Sequence, residues 1–309
     1  DDTGAKHLVT TESDTHTLSA NEWQHVACTW SGTAPGGNIV ARIYINGILK
    51  ASETFDFSTR SVRANTEELI IGYQDITTES LTGVIDDVRI WDTARTQERI
   101  RNTMCHKVTD SETDYTDLVG YWRFDAENDK YCNDSSAFYN IGITDVLRVC
   151  STAPIGDASA HDDYIGSTPG DFEAVLQFES LDKMTLTGKD GTWNSSEDSC
   201  LHVYRVDAPT DYTSAPLFWR SFANEPRYWG AFVSGGTNPT YTAEYKYTGY
   251  PNIGNEEGLQ LAYRGKNCES WKDAKAELDT DDDTLTKSGL SGTEFILGQN
   301  VGPRNAIDY

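Results

Sequence analysis

Apolar and polar residues alternate in short runs along most of the chain, with a period of two. Between Ile39 and Ile45 the odd positions Ile39, Ala41, Ile43 and Ile45 share one side, while Arg42 and Tyr44 take the other. That is the pattern of a half-buried strand. Asn46-Gly47 follows, and a two-residue turn needing positive φ at both positions predicts a hairpin that returns from Ile48. Leu118, Gly120, Trp122 and Phe124 mark another strand face, and Val26 and Trp30 flank Cys28 on a third. Tyr241, Ala243, Tyr245 and Tyr247 alternate with Thr242, Glu244 and Lys246. A strand over Val84–Ile90 puts Asp86 on one face with Val84, Val88 and Ile90. Only Gln97 to Met104 reads as helix: Thr96 is placed to cap it, Glu98 sits in the first turn, and Ile100 and Met104 lie four apart. The small-residue stretch from Cys150 to Ser159 separates two strand-rich halves. The expected architecture is all-β, with one sandwich domain over 1–150 and a second, Ig-like or related, over 151–309.

Composition narrows the function classes. Lys plus Arg number 25 against 49 Asp plus Glu, a formal charge of −24. Such a chain repels phosphate backbones and anionic lipid, so nucleic acid is excluded as a partner. No run of 18 apolar residues exists to insert into a membrane. Asp1 is not an initiator residue, and the chain reads as mature or processed protein. The six cysteines are widely spaced and form no C-x-x-C pair, which disfavours a structural zinc or thioredoxin-like site. They fit disulfides in an oxidising, extracellular or cell-surface setting, with Cys105 expected to pair with Cys132 and Cys200 with Cys268.

Five segments in order carry a family resemblance. They are Asn21 to Trp30 (NEWQHVACTW), Ile43 to Gly47 (IYING), Leu69 to Asp75 (LIIGYQD), Leu81 to Trp91 (LTGVIDDVRIW) and Leu118 to Asp125 (LVGYWRFD). Together they resemble the laminin-G-like and pentraxin-like jelly rolls of the concanavalin A-type lectin superfamily. The resemblance implies two stacked antiparallel sheets, binding rather than catalysis, and often calcium. It places calcium ligands on the loop after the Ile-Ile-Gly strand, at Gln74, Asp75 and Glu79. Members open with two or three more strands, whereas only about twenty residues precede Trp23 here. The expectation is a jelly roll lacking its first strands and completed by a partner subunit or an upstream segment, since an open sheet edge invites pairing. In the second half, Arg227 to Tyr241, Tyr247 to Gly249 and Glu294 to Gly298 resemble β-sandwich segments of large bacterial surface and secreted proteins.

Candidate chemistry is sparse. A carboxylate on an apolar face, such as Asp86, must be hydrogen-bonded, paired or bound to metal, and Asp125 and Asp134 face the same choice. Asp86 is therefore a further candidate calcium ligand. Asp279, Asp281 and Asp283 begin like a calcium loop, but Thr284 and Leu290 stand where glycine and glutamate are needed, so a solvated turn is expected. No nucleophile elbow, H-E-x-x-H helix, phosphate loop or paired-carboxylate strand is present, and no enzyme is expected. Trp219, Phe222, Tyr228 and Trp229 crowd one stretch, and Tyr228 and Trp229 are candidate stacking platforms for a sugar. The combined expectation is a non-enzymatic adhesion or surface-assembly protein, associating with copies of itself or adjacent domains through sheet edges. The alternative is a calcium-dependent lectin module binding cell-surface glycans.

Overall fold

A computed structural model describes residues 9–10, 18–32, 36–59, 68–75, 79–125, 130–144, 149, 151–164, 172–179, 182–188, 193, 199–208, 219–221, 227–250, 253, 256–265 and 269–300. The chain divides into two compact units. The first holds Asp1–Ile45, Leu49–Gln97 and Val108–Ser151, the second Asn46–Ile48, Glu98–Lys107 and Thr152–Tyr309. The hairpin tip and the segment Glu98–Lys107 therefore count with the second unit, although they precede its main body by some way in sequence.

In the first unit, β1 (Val26–Gly32), β2 (Asn38–Ile45) and β3 (Ile48–Asp56) form one sheet in that order. Asn46 and Gly47 have φ of 51° and 72°, the turn that their residue types demand. A Cβ on Gly47 would also meet Arg101 Cγ at 2.8 Å, so glycine is needed for space as well as for φ. Three ribbons follow: β4 (Tyr73–Asp75) with β5 (Glu79–Ser80), β6 (Val88–Trp91) with β7 (Leu118–Trp122), and β8 (Tyr131–Cys132) with β9 (Gly142–Ile143). Between β6 and β7 lies α1 (Gln97–Thr103), where the sequence placed it. The expected strand over Val84–Ile90 begins only at Val88. Asp87 has φ of 56°, which breaks the two-residue alternation and takes Asp86 off the apolar face. Phe124, at φ 57°, likewise lies beyond the end of β7 at Trp122.

The second unit is a sandwich. Its strands are β10 (Ala158–Asp163), β11 (Phe172–Phe178), β12 (Asp182–Gly188), β13 (Cys200–Val206), β14 (Trp219–Ser221), β15 (Tyr228–Ser234), β16 (Tyr241–Lys246), β17 (Leu259–Arg264), β18 (Lys272–Asp273), β19 (Glu277–Asp279), β20 (Thr284–Leu290) and β21 (Glu294–Asn300). Among the described residues one sheet runs β10-β13-β15-β21-β17-β18, with β14 also on β21, and the other runs β11-β12-β16-β20-β19. Leu201, Val203, Trp229, Ala231, Leu261 and Phe295 of the first sheet meet Met184, Leu186, Tyr241, Ala243, Tyr245 and Leu285 of the second in one apolar core. The larger sheet is covered on its outer face too. There Tyr228, Ala262, Trp271 and Ile296 form one cluster, and Met104 and Cys105 from the segment after α1 cover Tyr204. Strands covered on both faces lose the alternation of buried and exposed positions, and Cys200–Val206 is buried at every position but the last.

The structure does not show the expected bridge between Cys105 and Cys132. Cys200 and exposed Cys28 carry thiols, and Cys268, the expected partner of Cys200, lies outside the described residues. Cys105 and Cys132 fall in different units, because the segment Glu98–Lys107 folds with the second half and not with its sequence neighbours. A spacing argument that keeps partners within one half cannot see that exchange. Asp279 forms the expected turn: its Oδ1 accepts the N–H groups of Asp281 (2.9 Å) and Asp282 (3.2 Å).

Candidate functional site

In the first unit the loop joining β8 to β9 brings together rigid anchoring and exposed rings. Its anchor is Asp134, a buried carboxylate. Oδ1 accepts the N–H groups of Tyr121 and Ser136, each at 2.8 Å. Oδ2 accepts the Ser136 hydroxyl at 2.9 Å and the Asn140 N–H at 2.7 Å. Burial alone would raise this carboxyl, but the backbone donors of Ser136, Asn140 and Tyr121 outweigh it and hold it below its ordinary value. Further bonds tie the loop to the strand behind it. Tyr115 Oη donates to Ser135 O (2.7 Å), Trp122 Nε1 to Asn140 O (2.8 Å) and Asn140 Nδ2 to Val119 O (2.9 Å).

On this frame the apolar side chains face outward. Phe138 is 57% exposed and Tyr139 79%. Tyr139 also sits at φ 55°, a conformation that costs a non-glycine residue about 1–2 kcal/mol and persists because the flanking turn is bonded on both sides. Tyr131 and Ile143 are directly paired across the ribbon and both are exposed, with Ile141 beside them. The Lys130 ammonium lies 5.7 Å from the centre of the Tyr131 ring. A fixed loop that presents two or three rings to solvent is a ready surface for the C–H face of a sugar or an apolar patch of a partner. Sequence reasoning did not single out Phe138 and Tyr139. The available signal was two aromatics set among the turn formers Asp134, Ser135, Ser136 and Asn140.

The rings that were singled out lie elsewhere. Trp229 is 1% exposed in the sandwich core, and Tyr228, one residue along and so on the other face, is covered by Trp271. Neither presents a face to a ligand, so the expectation of sugar stacking at Tyr228 and Trp229 is corrected. Side chains of Trp219 and Phe222 lie outside the described residues.

The expected calcium ligands are brought together only in part. Asp75 and Glu79 stand opposite each other in the register of β4 and β5, while the side chains of Gln74, Asp75 and Glu79 lie outside the described residues. Asp86 is taken up by structure: its Oδ2 accepts the Ser151 hydroxyl. Burial, ahead of that hydrogen bond, holds its carboxyl above the ordinary value, which disfavours the charged form that a hard cation needs. Asp87, which sequence reasoning passed over, accepts the Tyr121 hydroxyl at 2.6 Å and pairs with Arg89. Burial also raises its carboxyl, against the pull of Arg89.

Nearby His25 is held neutral. Burial first, and then the Arg89 charge, lower its imidazole to about 4. A His25 ring resonance followed by NMR is expected to titrate with a midpoint near 4, and a midpoint at the ordinary value of about 6.5 would show that the ring is not enclosed. Because the folded imidazole binds its proton less well than the unfolded one, His25 on its own withdraws stability as pH falls from about 6.5 toward about 4.

Comparison with known proteins gives one match. Residues 2–101 fit the laminin-G-type family model described as the concanavalin A-like lectin/glucanases superfamily. The matched region begins well before Trp23, so the first twenty residues count with the module. No curated protein and no solved structure matches the chain. Among the described residues no helix is long and apolar enough to cross a membrane. Residues 2–101 are thus similar to the laminin-G-like modules of the concanavalin A-like lectin/glucanases superfamily, which supports a module of carbohydrate-binding or adhesion type in that region.

Proposed function

We propose that the protein is an extracellular, non-catalytic adhesion protein whose first unit holds a carbohydrate surface through the β8–β9 loop. The observation that supports this most is the pairing of exposed Phe138 and Tyr139 with the four-donor anchor at Asp134. Rings fixed before binding lose little entropy on contact, which favours a shallow sugar-stacking site. The charge of −24 selects against sulfated or uronic glycans, so the expected ligand is a neutral saccharide. Calcium at Asp75 and Glu79 belongs to the proposal. Like charges at directly opposed positions are unfavourable, and a divalent ion would offset them.

The test is retention of the full chain on arrayed neutral and acidic glycans, with calcium and with chelator. Replacing Phe138 and Tyr139 together by alanine is expected to weaken binding on the order of tenfold to a hundredfold, from two stacking contacts of about 0.5–1.5 kcal/mol each. Unchanged binding by that variant, or retention on acidic glycans alone, would refute the site. Insensitivity to chelator would remove calcium from the reading.

A second reading rests on a different observation. β1 is an outer strand of its sheet among the described residues, and Val26, Cys28 and Trp30 on one of its faces are all exposed. An edge strand with an apolar face is a template for association, which supports assembly with further copies of the chain. Light scattering that gives only the 34.3 kDa species at every concentration would sink that reading.

A further inference from the structure

We propose that the second unit binds a divalent transition-metal ion, zinc, through His161, Asp163 and Cys200 on the outer face of its larger sheet. The site follows from strand register. β10 and β13 run antiparallel with His161 opposite His202 and Asp163 opposite Cys200. Residues two apart on a strand share a face, and directly opposed residues share it as well, so all four side chains converge on one patch. One ligand atom from each of His161, Asp163 and Cys200 lies within 4.8 Å of the others. His161 Nε2 and Asp163 Oδ1 are 3.8 Å apart, too long for a hydrogen bond and close to the span between two ligands of one ion.

Neighbouring groups prepare these atoms. Arg101 donates from Nη1 to Asp163 Oδ2 at 2.6 Å, which leaves Oδ1 turned toward the histidine. That oxygen is buried, and the Asp163 carboxylate lies within hydrogen-bonding reach of the Cys200 thiol, a contact that a bound ion would replace. An anchored carboxylate offering one oxygen is the usual arrangement of a monodentate ligand with its supporting shell. His202 Nε2 lies 3.0 Å from Cys200 Sγ, and the His202 and His161 rings stack with centres 5.0 Å apart. Binding converts the Cys200 thiol to a thiolate, forming one sulfur–metal bond and releasing one proton, for which His202 is the adjacent acceptor before solvent. Sulfur, imidazole and carboxylate together fit zinc, whereas calcium and magnesium take oxygen alone.

Access is through the edge. β10 is the outermost strand of the sheet among the described residues, and the Asp163 side chain is 37% exposed while Cys200 and His202 are fully enclosed. An ion can therefore reach the site from the β10 side without unfolding the sandwich.

The full chain, stripped with chelator and dialysed, would be titrated with cobalt(II) chloride and then with zinc chloride. One equivalent of cobalt is expected to give a thiolate-to-cobalt charge-transfer band that one equivalent of zinc abolishes. Cys200→Ser is expected to lose the band. His161→Ala, on the more accessible strand, is expected to lose stoichiometric zinc while keeping the wild-type circular dichroism. A folded wild-type chain that gives no charge-transfer band and retains no zinc would overturn the proposal. So would an undiminished band in Cys200→Ser, or undiminished zinc in His161→Ala. None of these readouts depends on glycan binding by the first unit.

Discussion

Replacing Glu294 by alanine is expected to destabilise the second unit by about 3–5 kcal/mol, against a total of about 5–15 kcal/mol for an ordinary domain. Glu294 and Arg264 are direct partners across β21 and β17, and Arg264 Nε donates to Glu294 Oε2. The Tyr204 hydroxyl donates to the other carboxylate oxygen at 3.2 Å. Arg264 is 1% exposed, its guanidinium 4.3 Å from the centre of the Trp271 ring and 5.3 Å from that of Tyr228. Alanine at 294 leaves this charge enclosed with its carboxylate removed, and that penalty exceeds the value of the pair itself. The same logic gives the control. Arg264→Met combined with Glu294→Leu removes both charges and is expected to recover most of the loss. Denaturant unfolding followed by tryptophan fluorescence would read both, with the second unit's transition moving and the first unit's staying in place. A single variant within 1 kcal/mol of the parent, or a double variant as unstable as the single, would contradict the account.

The sequence was legible where a local rule decides the outcome. Asn46-Gly47 has its turn conformation whatever surrounds it, and Tyr241–Lys246 keeps its alternation because one side faces the core and the other does not. It was illegible where burial comes from outside the strand. Tyr228 and Trp229 are neighbours on opposite faces of β15, and both are buried because the larger sheet is covered twice. Nothing in a run of aromatics distinguishes that from a ring on a loop. Asp86 was misplaced because one left-handed residue, Asp87, shifts the phase of every position before it. The pairing of Cys105 with Cys132 failed for a topological reason, since the segment Glu98–Lys107 joins the unit that comes later in sequence. The His161 and Asp163 pair could not be joined to Cys200 without the register of β10 on β13, a contact nearly forty residues apart in the chain. Exposure of Phe138 and Tyr139 was likewise a tertiary outcome, although the turn chemistry that fixes their loop was written locally.

Asp134→Ala is expected to remove ligand binding with the rings still present, and to destabilise the first unit by about 3 kcal/mol. The carboxylate satisfies three backbone N–H groups and one hydroxyl, and its loss leaves buried donors without a partner. Without the bond to Asn140, the turn that holds Tyr139 at φ 55° has no reason to persist, and the ring relaxes into an ordinary conformation. Tyr139→Ala separates the two effects: binding falls while stability is unchanged or slightly improved, because alanine is free of the wild-type ring's exposure and the anchor remains. Amide exchange reports the loop directly. The Ser136 and Asn140 amides, protected in the parent, are expected to exchange freely in Asp134→Ala and to stay protected in Tyr139→Ala. The pH dependence follows from the same bonds. Since the folded carboxyl lies below its ordinary value, the anchor's contribution is complete above about 3.9 and is lost only as pH falls through the lower folded value. Binding that survives at mildly acidic pH in the parent and is absent at every pH in Asp134→Ala would place the function in the preorganised loop; an Asn140 amide equally protected in both proteins would mean that the loop is held by something other than Asp134.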